Sequence, residues 1–227
     1  MTQDTIRQTR QVRFITFDGP VEYGAMIARQ EAAREAFTSG TGCNTVFLLE
    51  HVPVITLGRR AKREHVLLDA DGLARLGIQL VETDRGGDVT YHGPGQMVAY
   101  PVLDLNGWRP SVDWYLRALE ETLIRLLEVY GLRGERVEGF TGVWVDGAKV
   151  AAIGVGVRQW ITWHGVALNV NPDEKHWRAI IPCGIKDKPV TSLSNLLDPC
   201  PSMAEVMTRF REVFTAVFEC EAAPDEP

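Results

Sequence analysis

A chain of 227 residues with 45% hydrophobic and 24% charged side chains has the composition of a soluble globular protein that can bury a sizeable core. Its net charge of −6 argues against nucleic-acid binding, and no apolar run approaches the roughly 18 residues of a membrane helix. The first residues lack the apolar stretch of a secretory signal, so a cytoplasmic protein with neither nucleic acid nor membrane among its partners is expected.

In chain order, Tyr23, Met26, Ile27, Gln30, Ala33 and Phe37 recur at helical spacing and predict a helix over 21–37. Two short apolar, β-rich runs follow at 44–50 and 54–58, separated by the break His51-Val52-Pro53. Further strands are expected at 78–83 and at 97–105, the second entered from a glycine-rich loop. A helix over 111–130 takes Ser111 as N-cap and Gly131 as stop. Asp146-Gly147 between apolar runs signals a hairpin whose turn needs positive φ at both central residues, which sets Lys149 just inside the second strand. The sheet continues over 160–170. A last helix begins at Ser202, with Glu205 completing a capping-box pattern and Met203, Val206, Met207, Phe210, Phe214, Val217 and Phe218 as its core stripe.

No internal repeat or long linker divides the chain. The expectation is one α+β domain over 1–227, a central mixed sheet flanked by helices, ordered from about residue 12 to 220 with a disordered tail at 221–227. Cys43, Cys183, Cys200 and Cys220 form no CxxC pair, and no HExxH or zinc-type spacing occurs, so neither disulfides nor a metal nor another cofactor is expected.

Two segments carry candidate chemistry. Arg85-Gly-Gly-Asp-Val-Thr-Tyr-His-Gly-Pro-Gly-Gln96 holds four glycines, which let the backbone approach a ligand and offer N–H groups to a carbonyl or carboxyl oxygen. It matches neither a Walker A loop nor GxGxxG, and a purely structural turn with an ordinary loop histidine at His92 competes with that reading. Cys183 lies in Ile180-Ile-Pro-Cys-Gly-Ile185, where Pro182 restricts the backbone before the thiol and Gly184 removes bulk after it. The competing reading is a small buried hydrophobe.

A nucleophilic thiol with a reference pKa of about 8.5 needs activation. An ammonium about 4 Å away, at an effective dielectric near 20, supplies on the order of 4 kcal/mol, enough without a catalytic histidine. Lys149, Lys186 and Lys188 are all candidates for that ammonium, and the residues alone do not choose among them. Arg59, Arg60, Lys62 and Arg63 make a local basic run, either a solvated surface or a landing patch for an acidic protein.

The chain closely resembles the lipoyl(octanoyl) transferase family. The resemblance is carried, in order and with the family's spacing, by several segments. They are His51-Val-Pro-Val-Ile-Thr-Leu-Gly-Arg59, Arg85 to Gln96, Tyr100-Pro101, Thr141-Gly-Val-Trp144 and Lys149-Val-Ala-Ala-Ile-Gly154. His164-Gly-Val-Ala-Leu-Asn169, Pro182-Cys-Gly184 and Thr191-Ser-Leu193 complete the set. It implies a fold like the catalytic module of biotin and lipoate protein ligases. It also implies transfer of an octanoyl or lipoyl group from octanoyl-acyl carrier protein to a lysine. The acceptors would be lipoyl domains of 2-oxoacid dehydrogenase complexes and the glycine cleavage H protein.

By position, the resemblance makes Cys183 the acyl-thioester nucleophile and Lys149 its partner. Arg85, Gly86, Gly87, Asp88, Val89, Thr90, Tyr91 and His92 would line the acyl site with Ala152, Ile153, Gly154, Gly165, Val166 and Ala167. Two alternatives stand beside this reading. One is an ATP-dependent lipoate-protein ligase on the same scaffold, the other a non-catalytic acyl-carrier-binding protein. The lack of a GxSxG elbow argues against a Ser-His-Asp hydrolase.

Overall fold

The computed structural model describes residues 10–181 and 189–224. Cys183, Lys186 and Lys188 therefore lie outside the described residues. The first half of the chain forms β1 (Gln11–Val21), α1 (Tyr23–Thr38), β2 (Thr45–His51), β3 (Val54–Leu57), α2 (Ala70–Arg75), β4 (Gln79–Glu82), β5 (Val89–His92) and β6 (Gln96–Val102). Then come α3 (Val112–Val129), β7 (Gly142–Val145), β8 (Ala148–Arg158), β9 (Ile161–Asn169), α4 (Glu174–Trp177), α5 (Leu193–Leu196), α6 (Met203–Val217) and β10 (Glu221–Ala222).

Seven strands make the large sheet in the order β10-β1-β2-β6-β9-β8-β7. It is mixed, because β1 runs parallel to both β2 and β10 while the other pairs are antiparallel. Its central strands are apolar on both faces, and their period of two divides the side chains between two cores. Val46 and Leu48 of β2, Met97 and Ala99 of β6, and Val166 and Leu168 of β9 point to the core that includes Tyr115, Leu119, Leu123 and Leu127 of α3 and Phe210 and Phe214 of α6. Phe47 and Leu49, Val98 and Tyr100, and Ala167 point the other way, to a core that Met26 of α1 joins. The α+β fold with its mixed sheet flanked by helices is the expected one. Among the described residues, no helix is long and apolar enough to cross a membrane.

A second, three-stranded sheet in the order β4-β3-β5 sits over a small core of its own, built on Ile55, Val89, Tyr91 and Ile180. The turn chemistry behaves as read from the sequence. Asp146 and Gly147 adopt φ of 49° and 78°. Ser111 and Ser202 each accept a hydrogen bond from the backbone N–H three residues on, and Gly131 ends α3 with φ of 74°.

Three features differ from expectation. The N-terminal strand β1 was not anticipated; Val12 and Phe14 alternate inward, and a register shift between Thr16 and Pro20 accommodates the Gly19-Pro20 kink. Within the supposed glycine loop, Val89 to His92 form β5 by pairing with β3. Glu221 and Ala222, expected in a disordered tail, instead pair with Gln11 and Val12, satisfying the outer edge of β1.

Candidate active site

A cavity of about 560 Å³ lies between β8 and β9 of the large sheet and the loop that leads into β5. Its walls begin with that loop. Arg85 is only 7% exposed, and its guanidinium is committed to the protein itself. Nε and Nη2 donate to Thr56 Oγ1 at 3.1 and 2.9 Å, Nη2 also to the carbonyls of Thr56 and Asp88, and Nη1 to that of Gly86. Arg85 thus braces the loop over β3 rather than offering an open charge. Gly86 N–H donates to Val155 O at 3.0 Å, bringing the loop against β8. Only glycine fits beneath it at 154, where a Cβ would stand 2.8 Å from Gly86 O.

Twelve of the fourteen residues assigned by resemblance to the acyl site line this cavity, and Lys149 lines it too. The two that do not are Val89 and Tyr91. The pleat of β5 turns them into the small core while Thr90 and His92 face the cavity. Sequence reasoning missed Tyr23, Tyr100 and His164, and at the other end Val112, Leu116, Phe140 and Thr141. Tyr100, Thr141 and His164 stand inside the quoted motifs, which was the available signal. Tyr23 instead looked like one more core residue of an amphipathic helix.

Lys149, 8% exposed, donates from Nζ to Thr141 O at 3.1 Å and lies 5.0 Å from the centroid of the Trp144 ring. Its stem runs across Gly142, whose φ is 138°; a Cβ there would meet Lys149 Cε at 2.7 Å. The main chain of Lys149 also holds the segment that follows Cys183: Lys149 N–H donates to Pro189 O at 2.8 Å, and Thr191 N–H to Lys149 O at 2.9 Å. On the other side, Ile181 N–H donates to His65 O at 2.8 Å, and the His65 ring sits 2.7 Å from Asp88 of the cavity wall. Of the basic run, Arg60 lines the cavity; Arg59, Lys62 and Arg63 are exposed around it.

Five rings cluster at one end of the cavity: His92, Tyr23, His51, Tyr100 and His164, with neighbouring centroids 5.2 to 6.3 Å apart. His51 bridges Val21 O and Tyr100 Oη, both at 2.8 Å; His92 Nδ1 meets Gln96 Oε1 at 2.7 Å; His164 Nε2 meets Asp84 Oδ1 at 2.8 Å. Burial dominates their titration. It lowers His51 and His164 to about 4 and His92 well below the ordinary imidazole value, so all three are neutral at pH 7.

These rings make the fold acid-sensitive. In the unfolded chain they protonate near pH 6.5, whereas in the fold His51 and His164 resist until about 4. Protons therefore bind the unfolded state preferentially as pH falls through that window, and His51 and His164 each cost stability on the order of 2 kcal/mol by pH 5. Urea unfolding at pH 7.5 and 5.0 is expected to show a markedly lower midpoint at pH 5.0. Equal midpoints would show that the rings are not held neutral.

Comparison with known proteins adds a family context. A model of the lipoyl protein ligase A/B catalytic domain matches residues 22–215. The chain is similar to an octanoyltransferase of Solibacter usitatus, 45% identical over 206 residues that span 91% of this chain and 93% of that protein. It is 49% identical over 184 residues to an octanoyltransferase of Nostoc punctiforme, covering 81% and 78% of the two chains. In fold it is similar to a bi-partite lipoate protein ligase from Thermoplasma acidophilum, studied with its E2 lipoyl domain. That TM-score is 0.71 at 17% identity, over 95% of this chain and 86% of the other.

Proposed function

The chain belongs to the lipoyl protein ligase A/B catalytic-domain family, among its octanoyltransferases, and from that premise we propose the route its octanoyl transfer takes. The donor is octanoyl-acyl carrier protein, the intermediate is a thioester on Cys183, and the acceptor is a lysine of a lipoyl domain. Such domains occur in 2-oxoacid dehydrogenase complexes and the glycine cleavage H protein. Cytoplasm is the expected compartment.

In the first step the Cys183 thiolate attacks the donor's thioester carbonyl. A carbon–sulfur bond to Cys183 forms, the bond to the carrier's sulfur breaks, and the leaving sulfur takes a proton from the Lys149 ammonium. One thioester replaces another, so the step is nearly balanced. In the second step the acceptor amine attacks the same carbonyl, an amide forms, and Cys183 departs as a thiolate while the nitrogen gives up a proton. Amide formation from a thioester is downhill, so no ATP is consumed. The Lys149 amine, left neutral by the first step, takes the nitrogen's proton in the second and again faces the Cys183 thiolate as an ammonium.

The observation that carries this reading is the setting of Lys149. Its ammonium sits inside the cavity at 3.1 Å from Thr141 O, and its backbone anchors Pro189, while Ile181 hangs from His65 beside Asp88. The described residues that flank the segment carrying Cys183 in sequence, Ile181 and Pro189, are thus both attached beside one cavity, which supports this reading. Burying about six methylenes of an octanoyl chain in that cavity contributes on the order of 5 kcal/mol.

Intact-mass analysis after incubation with octanoyl-carrier protein, without ATP, is expected to show one octanoyl adduct. Peptide mapping should assign it to Cys183, and addition of a lipoyl domain should discharge it. An adduct on another residue overturns the site. Dependence on free octanoate and ATP would instead make the chain a ligase.

A further inference from the structure

We infer that the five-ring cluster closes the acyl cavity at the end remote from Lys149 and sets the length of the acyl chain, with Tyr23 as the stop for its terminal methyl. The inference rests on the acyl transfer proposed above.

The register of the sheet gives the cavity its direction. Along β8 the wall runs from Lys149 to Val155, six residues or roughly 20 Å at a strand's rise. Val155 pairs with His164 on β9, so His164 stands at the far end. Between the two ends, Ala152 pairs with Ala167 and Gly154 with Gly165. Ala152 and Ala167 keep this stretch of the cavity wall low, while Gly154 lets the Gly86 carbonyl of the loop close in beside it.

The ends of this cavity differ. Near Lys149, Val112 and Phe140 are 41% and 40% exposed, so the cavity opens there. At the ring end Tyr23, His92, Tyr100 and His164 are all 1–6% exposed, so it is shut. The shutting groups are also stiff. A leucine or methionine at a cavity end swings aside, whereas these rings pack against one another, Tyr23 on His92 stacked and the other pairs tilted or edge-on, and each is tied by a hydrogen bond. An acyl chain one step too long must displace the whole cluster.

Tyr23 is the ring that can be removed. It comes from the first turn of α1 rather than from the sheet, and its hydroxyl is tied most weakly, to Thr83 Oγ1 at 3.3 Å. Tyr100, by contrast, holds His51 and lies in the central strand β6.

The test offers an equal mixture of octanoyl-, decanoyl- and dodecanoyl-carrier proteins and reads the acyl masses on the lipoyl-domain lysine. Wild type should favour octanoyl over decanoyl by at least about tenfold. Tyr23→Ala should raise the decanoyl-to-octanoyl ratio at least about tenfold, and the smaller cut Tyr23→Leu should raise it less. Both variants keeping the wild-type ratio, with unchanged melting, overturns the inference. So does a wild type that takes dodecanoyl as readily as octanoyl, whether or not the variants fold. Because the ratio is read on the product, an intermediate found on a residue other than Cys183 would sink the thioester assignment and leave the ring wall standing or falling by itself.

Discussion

Cys183→Ser should lower octanoyl transfer by at least about a thousandfold while leaving the melting temperature near that of wild type. The magnitude follows from two losses that act in sequence. A serine hydroxyl carries no appreciable alkoxide at neutral pH, and one ammonium nearby supplies far too little to make it, so attack on the donor slows. Any ester that does form on serine is a poorer acyl donor to an amine than a thioester, so the slow second step compounds the first. The measurement is kcat/KM with octanoyl-carrier protein and a lipoyl domain, with a mass search for trapped acyl-serine. Activity within tenfold of wild type would remove Cys183 from the mechanism.

Much of this architecture was legible because short-range chemistry dictated it. Asp146-Gly147 demands positive φ at two adjacent residues, and that turn alone sets Lys149 on β8. Ser111 and Ser202 announced the starts of α3 and α6 because each helix leaves backbone N–H groups that a serine oxygen can meet. What escaped was whatever depended on a distant partner. Val89 to His92 read as loop because glycines surround them; they become a strand only by pairing with Val54 to Leu57. Glu221 and Ala222 are ordered only because β1 leaves an edge for them, and β1 itself was missed.

The site divides the same way. The resemblance named residues around the cavity, but the side each one faces is a property of the pleat, which is why Val89 and Tyr91 face the small core while Thr90 and His92 face the cavity. Arg85 and His92 were read as candidate ligand contacts. The structure ties Arg85 to Thr56 and the loop carbonyls and His92 to Gln96, bonds that brace the cavity wall. The ring cluster draws on α1, β2, β5, β6 and β9, and no local pattern could have assembled it.

Lys149→Ala should reduce kcat/KM by about a hundredfold to a thousandfold, mostly through the acylation step. At about 4 Å and an effective dielectric near 20, the ammonium stabilises a thiolate by on the order of 4 kcal/mol, or up to roughly three pKa units before desolvation is subtracted. Removing it returns the thiol to its ordinary range, and the thiolate fraction at neutral pH falls accordingly. The rate of Cys183 carbamidomethylation against pH reads this directly, with the midpoint expected to move up in the variant.

Lys149→Arg separates the two duties of the lysine. A guanidinium keeps the positive charge but never becomes the neutral base that takes the amine's proton, so acylation should survive in part while discharge to the lipoyl domain slows. Space limits the exchange, since the lysine stem already crosses Gly142 closely enough to exclude a Cβ. Rapid-quench measurement of acyl-enzyme formation and of its discharge distinguishes the steps. If Lys149→Ala leaves the carbamidomethylation profile superimposable on wild type, the cation held at Thr141 O does not act on this sulfur, and the charge that activates Cys183 must come from elsewhere.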